Sequence, residues 1–268
     1  MAELLNGKAL SERLLKRIKE RGKDLSLAVV VVGADPVSGS FVRQKEKACE
    51  KAGVDFKKYE FGETIEESEL KEKIEEIAKE SKGLVVQLPL PSGINFQEIL
   101  NSIPLEKDAD VLSEKRFQLF ESNESSIFPP VVGAVDYLLK EYSIPLEGKK
   151  VVLLGKGRLV GKPLSVWLKN NRADFSVVEK DTENPQNLLK QADILISGVG
   201  KPGIIKGEDV KEGAVVIDAG TSLEGGQLKG DVSFEEVSKR ARYITPVPGG
   251  LGPLTVACLL ENLLKLNQ

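Results

Sequence analysis

The stretch VVLLGKGRLVGKP, Val151 to Pro163, constrains the fold of this 268-residue chain more than any other. Four apolar residues, Val151 to Leu154, run into Gly155, Gly157 and Gly161, and Pro163 to Leu168 reads as helix. The pattern predicts a strand, a glycine-rich turn and a helix start. Such a turn lets backbone amides approach a diphosphate, and the N–H groups and dipole of the new helix favour the anion. The spacing is GxGxxxG instead of the dinucleotide fingerprint GxGxxG. By itself it equally describes a tight turn that holds no ligand.

Composition narrows the chemistry. The chain has no histidine and two cysteines, which removes every histidine-based triad and any ordinary zinc site. No metal is expected, and an enzyme built this way must move protons with Lys, Asp, Glu, Tyr, Cys or a cofactor. A formal charge of −3 gives no cationic excess, which argues against nucleic acid or an anionic membrane as the main partner. Cys49 and Cys258 lie among apolar residues of helical stretches, without CxxC spacing, and read as reduced core residues. No apolar run approaches the roughly 20 residues of a membrane helix, and the start MAELLNGKALSERLL does not resemble a signal peptide. The expected location is the cytoplasm.

Along the chain, helical and β-branched stretches alternate. Leu4 to Arg21, Ser38 to Gly53 and Ile65 to Lys79 have helical periodicity, while Ser26 to Gly33, Val54 to Phe61 and Gly83 to Leu88 read as strands. This is an α/β pattern. From Pro89 to Pro130 it breaks up into PLPSG, IPLEKDAD and ESNESS, an irregular length typical of a functional loop or a boundary. Val131 to Tyr142 reads as a bridging helix. Strands are then expected at Lys150–Leu154, Phe175–Val178, Ile194–Ser197, Val215–Asp218 and Tyr243–Ile244, with a last helix from Pro253 to Lys265.

Several residues stand apart from their surroundings. On the helix from Ser38, a step of about 100° per residue puts Phe41, Val42, Ala48, Cys49 and Ala52 in one apolar sector. Lys45 falls in the middle of that sector. A lysine there can snorkel to the surface, but partial burial would lower its pKa and suit it to acid/base work. Gln87 interrupts VVQL near the carboxyl end of a strand, where open α/β sheets place ligands. Asp108 and Asp110 follow at alternate positions in the irregular segment. The segment TPVPGGLGPLT, Thr245 to Thr255, sets flexible glycines between rigid prolines and can bring N–H groups against a ligand. Glu179 closes a strand 18 residues beyond Gly161, near the distance at which an acidic residue meets the ribose hydroxyls of NAD.

In order, VGADPVSGSFVRQKEKACEKAG, VVQLPLP, EKDAD, LLGKGRLVGKP, DILISGVGKP, VVIDAG, GDVSF and ITPVPGGLGPLTVA resemble the bifunctional methylenetetrahydrofolate dehydrogenase/methenyltetrahydrofolate cyclohydrolase (FolD) family over nearly the whole chain. The resemblance implies two α/β domains. Residues 1–130 would form a folate-binding catalytic domain with 253–268 packing back on it, and 131–252 a Rossmann domain for NAD or NADP. It further implies oxidation of 5,10-methylenetetrahydrofolate by hydride transfer, hydrolysis of the methenyl product to 10-formyltetrahydrofolate in one folate cleft, and a homodimer. The family's catalytic lysine falls on Lys45, with Gln87 holding it, and its pterin-binding aspartate on Asp110. Substrate binding would also involve Phe41, Pro248, Gly249 and Gly250. Gly155, Lys156, Gly157, Arg158, Gly161, Glu179, Lys180, Gly198 and Thr221 would bind the cofactor.

Departures from the family pattern bear on both ligands. Phe41 stands where the family commonly has tyrosine, Val111 where KDVDG has its glycine, and PPVVGA (Pro129 to Ala134) where PCTPxG is usual. Gly155-Lys156-Gly157 replaces GRS, and Glu179-Lys180 aligns with a His-Ser pair that accepts the NADP phosphate in many members. Glu179 would repel a 2′-phosphate and accept hydrogen bonds from a free ribose, while Lys156, Arg158 and Lys180 offset that repulsion. The residues lean to NAD and family habit to NADP.

Overall fold

The computed structural model describes residues 1–33, 36–225 and 227–268. Ala34 and Asp35 of the motif VGADPVSGSF lie outside the described residues. The chain opens with a two-residue strand, β1 (Glu3–Leu4), and helix α1 (Gly7–Arg21). It divides into two compact units, one of residues 1–10 and 131–255, the other of residues 11–130 and 256–268.

The second of these units is built on a parallel sheet of β2 (Ser26–Val32), β3 (Asp55–Phe61) and β4 (Gly83–Val86), in the order β3-β2-β4. The central strand SLAVVVV is buried after its first residue, as a strand covered on both faces must be. The edge strand DFKKYEF instead carries exposed Lys57 and Lys58, charges that discourage edge pairing. Helices α2 (Pro36–Ala52) and α3 (Glu67–Glu80) follow β2 and β3. Leu70, Ile74, Ile77 and Ala78 form the buried stripe of α3 and pack with Ala28, Val30, Leu84 and Val86 of the sheet. The segment read from sequence as irregular contains two short helices, α4 (Phe96–Asn101), capped by Asn95, and α5 (Glu114–Glu121), capped by Ser113. Asn262, on the last helix, donates to Ala109 O (2.9 Å) and Phe128 O (2.7 Å), tying the chain's end to this unit.

The other unit starts with α6 (Pro130–Glu141) and continues through β5 (Lys150–Leu154), α7 (Gly161–Asn170), β6 (Asp174–Val178), α8 (Pro185–Leu189), β7 (Ile194–Ser197) and β8 (Val215–Asp218). A hairpin of β9 (Ser222–Glu224) and β10 (Gln227–Lys229), helix α9 (Phe234–Val237) and β11 (Tyr243–Ile244) complete it, and α10 (Leu251–Leu266) begins here and, from residue 256, belongs to the unit of residues 11–130. The main sheet is parallel, in the order β1-β11-β8-β7-β5-β6. The alternation predicts the α/β class, and the family resemblance the two-domain architecture. Two stretches differ from the expected bounds: residues 1–10 go with 131–255, because Glu3 and Leu4 pair with Tyr243 and Ile244, and the division on the last helix falls after Thr255 instead of Gly252. Among the described residues no helix is long and apolar enough to cross a membrane.

Candidate functional site

Two groups of the expected residues come together, one in each unit. In the unit of residues 11–130, α2 carries Phe41, Lys45 and Cys49 at four-residue spacing, hence on one face. Val42, Ala48, Cys49 and Ala52 are buried around the half-buried Lys45. Its Nζ donates to Gln87 Oε1 at 2.8 Å. Gln87 follows β4 and is itself buried; its N–H extends the sheet ladder to Val30 O (2.9 Å). Its Nε2 donates to Leu88 O (2.8 Å), which turns Oε1 toward the lysine.

Burial pulls the Lys45 ammonium below the ordinary lysine range, against the charges of Asp110 and Cys49. Burial likewise pushes the Asp110 carboxyl up to about 6, with Lys45 opposing and Asp108 adding to the rise. The Cys49 thiol is pushed up to about 12, mainly by burial, so it stays protonated and is no nucleophile. A desolvated lysine beside a fixed amide acceptor and a carboxyl gives up its proton more readily than an exposed one, which equips it for proton transfer.

Asp108 and Asp110, paired by their spacing in the sequence, serve different ends. Asp108 is fully buried and accepts from Val111 N (2.8 Å), Leu112 N (3.3 Å), Ser113 N (2.9 Å) and Ser113 Oγ (2.6 Å). It shapes the loop on which Asp110 sits. Val111 adopts a left-handed backbone (φ 59°) that a β-branched residue rarely takes. Glycine, common here in the family pattern, would take this backbone without strain, and in this chain the bond from Val111 N to Asp108 Oδ1 helps hold it. Arg116 adds a bond from Nη2 to Leu105 O at the start of the loop.

In the unit of residues 131–255, the expected cofactor residues follow the carboxyl ends of adjacent parallel strands. In the sheet order β8-β7-β5-β6, Thr221, Gly198, Gly155 and Glu179 follow in the same order. The chain leaves β5 for β6 on one side and reaches β7 on the other, the switch point where open α/β sheets bind ligands. Gly155 needs its glycine (φ 92°), and a Cβ on Gly161 would lie 2.1 Å from Gly155 O. Together they leave a turn of bare backbone before α7, a shape that fits a diphosphate. Lys156, Gly157, Arg158, Glu179 and Lys180 are exposed around it. Lys156 Nζ lies 4.0 Å from Glu179 Oε2, and Glu179 N donates to Thr182 Oγ1 at 2.8 Å. Elsewhere in this unit, exposed Pro248 precedes Gly249, whose φ of 102° requires glycine and whose carbonyl accepts from Lys8 N (2.9 Å). A Cβ on Gly250 would lie 2.4 Å from Pro246 O.

The family model described as the tetrahydrofolate dehydrogenase/cyclohydrolase catalytic domain matches residues 5–110, and that of the NAD(P)-binding domain of the same enzymes matches 129–268. The chain belongs to the tetrahydrofolate dehydrogenase/cyclohydrolase family. Among its relatives in that family, the bifunctional protein FolD of Aquifex aeolicus is 41% identical, covering 99% of this chain and 95% of the relative. The crystal structure of the bifunctional FolD of Campylobacter jejuni superposes with a TM-score of 0.94 at 39% identity, covering 99% of this chain and 98% of the other. The Trypanosoma brucei enzyme, solved with NADP and an inhibitor, gives 0.92 at 33% identity, covering 99% and 97%.

Two buried aspartates, Asp218 and Asp231, which bond the loops after β7 and β8, did not stand out in the sequence. The signals available were the carboxylate ending the apolar strand VVID and the one opening DVSF. No group of three or more His, Cys, Asp or Glu that could hold a metal occurs among the described residues.

Proposed function

We propose that this enzyme oxidises 5,10-methylenetetrahydrofolate to the methenyl compound with a nicotinamide cofactor and then hydrolyses it to 10-formyltetrahydrofolate, in one-carbon metabolism. The bond from Lys45 Nζ to Gln87 Oε1, made by a lysine with a lowered pKa in a chain without histidine, carries the reading. In hydrolysis, a water oxygen bonds to the cationic methenyl carbon and passes a proton to the Lys45 amine. As the bond from that carbon to the ring nitrogen breaks, the ammonium returns a proton to the nitrogen, and the remaining hydroxyl proton leaves to solvent as the formyl C=O forms. Gln87 keeps the lysine in place, and Asp110 accepts hydrogen bonds from the pterin's amino and ring N–H groups. Phe41 offers an aromatic face to folate.

A bound nicotinamide supplies the hydride acceptor, which needs no protein base. The glycine turn and the strand ends around it support its binding. Of the two cofactors we propose NAD, on the strength of the Glu179 carboxylate. Lys156 offsets that charge only in part, since at 4.0 Å both side chains are more than half exposed and screened. We further propose a cytoplasmic homodimer; Cys49 and Cys258, both buried thiols outside any disulfide, suit a reducing compartment. Replacing Lys45 by methionine should abolish hydrolysis of methenyltetrahydrofolate in a protein that still folds, and unchanged hydrolysis would end the assignment.

The altered turn Gly155-Lys156-Gly157 and the exposed Lys156–Glu179 pair favour a second reading, a cyclohydrolase with weak dehydrogenase activity. Steady-state assays with each nucleotide separate the two, since dehydrogenase turnover comparable to hydrolysis excludes the second.

A further inference from the structure

Asp231 is fully buried, and all of its side-chain bonds go to one loop. Oδ2 accepts from Ser197 Oγ and Val199 N, both at 2.7 Å, and Oδ1 accepts from Lys201 N at 2.7 Å. These are short bonds to a carboxylate, the strong kind. The loop they hold begins at the end of β7 and abuts the glycine turn. Gly198 N donates to Leu154 O (3.0 Å). A Cβ on Gly155 would lie 3.2 Å from Gly198 O, and one on Gly198 would lie 2.3 Å from Val160 Cγ1. Moving the loop by a few tenths of an ångström therefore changes the wall of the turn.

Asp218 braces this arrangement from β8. Its Oδ1 accepts from Gly220 N (2.9 Å) and Asp231 N (3.1 Å), its Oδ2 accepts from Val232 N (3.0 Å), and its own N–H donates to Thr245 Oγ1 (2.7 Å). The carboxylates leave no slack around them. A Cβ on Gly220 would lie 2.1 Å from Asp231 Cγ, and one on Gly230 would lie 2.0 Å from Asp218 Oδ2. The hairpin β9–β10 spans the interval between the two acids, so the pair also closes its base, next to Thr221. Burying two carboxylates side by side is costly, and here the compensation comes from donors in the loops at the ends of β7 and β8 and in the segment Asp231–Val232 after β10.

We infer that Asp231, braced by Asp218, is a positioning residue for the nucleotide, holding the loop Ser197–Lys201 against the glycine turn so that cofactor binding and hydride transfer depend on it. The inference rests on the reading of this unit as the cofactor site. Hydrolysis of the methenyl compound consumes no nucleotide and uses Lys45, which lies in the other unit. The two activities of one protein thus report separately on local positioning and on general integrity.

The test is Asp231→Asn, which keeps the shape but turns one acceptor into a donor facing N–H or O–H groups. Titration with NAD and NADP should show a Kd raised roughly 10- to 100-fold, with the dehydrogenase KM for the nucleotide rising more than kcat falls. Hydrolysis, assayed without nucleotide, should stay within about twofold of wild type. Ser197→Ala removes one of the three donors and should give the same split at roughly 3- to 10-fold, which serves if Asp231→Asn does not fold. Parallel loss of both activities would reduce Asp231 to a purely structural residue, and an unchanged nucleotide Kd would overturn the inference. A wild type that binds neither nucleotide would instead break the underlying cofactor reading, and the inference with it.

Discussion

The surroundings of Lys45 and those of the Gly155–Gly161 turn are built by opposite means. At Lys45 the chemistry lies in side chains, and burial creates it: the ammonium is drawn down and the Asp110 carboxyl pushed up to about 6 because both are desolvated, one on a helix and the other on a loop held by Asp108. At the turn the side chains are missing where a ligand must approach, and the shape comes from Gly155, whose φ of 92° favours glycine, and Gly161, where a Cβ would collide with Gly155 O. Charges there, such as Lys156 and Glu179, stand in solvent. The difference has a physical consequence. A proton site tolerates little change, because removing one desolvated group alters the ionisation of the next. A glycine cradle leaves the exposed charges around it free to vary, which is where this chain departs from the GRS and His-Ser pattern.

The largest effect should come from Lys45. With the amine gone in Lys45→Met, hydrolysis should fall by roughly 10²- to 10⁴-fold while nucleotide binding is unchanged; a matching loss of nucleotide affinity would erase the contrast between the regions. Gln87→Leu comes next, at about 10- to 100-fold in hydrolysis. Gln87 accepts from the ammonium and so favours its charged form. Removing it should lower the Lys45 pKa further and move the pH–rate profile of hydrolysis to more acid pH.

A smaller change is expected at the turn. Glu179→Ser should raise the ratio of NADP to NAD use, measured as kcat/KM, about 5- to 30-fold, with hydrolysis unaffected. An unaltered ratio would make Glu179 a bystander. The smallest effect concerns stability. The Asp110 carboxyl titrates at about 6 in the folded chain against an ordinary value of 3.8, so its contribution is present below 3.8 and is lost as pH rises through about 6. Asp110→Asn should therefore gain stability relative to wild type between these values in urea unfolding, and a constant difference across that range would contradict the burial argument.

Much of this was legible in the sequence, for identifiable reasons. Lys45 was conspicuous because one helical period isolates it among apolar residues, and β2 because a central parallel strand is nearly all β-branched. Helices α4 and α5 were not legible: at 6 and 8 residues they depend on the caps Asn95 and Ser113 and on packing, not on a sustained period. Strand β1 is two residues long, and its partner Tyr243–Ile244 lies at the far end of the chain, so no local signal assigns residues 1–10 to their unit. The roles of Asp108 and Asp231 were hidden because a buried carboxylate is defined by its donors, and those of Asp231 lie about 30 residues away.

The central claim is that a desolvated lysine does the proton chemistry of a protein without histidine. The most direct measurement is the titration of Lys45 itself, followed by NMR of lysine side chains labelled at Cε, with Lys45→Met identifying its signal. The account predicts that this resonance titrates clearly below the ordinary 10.5 and apart from the exposed lysines. Titration of Lys45 together with the exposed lysines would contradict it.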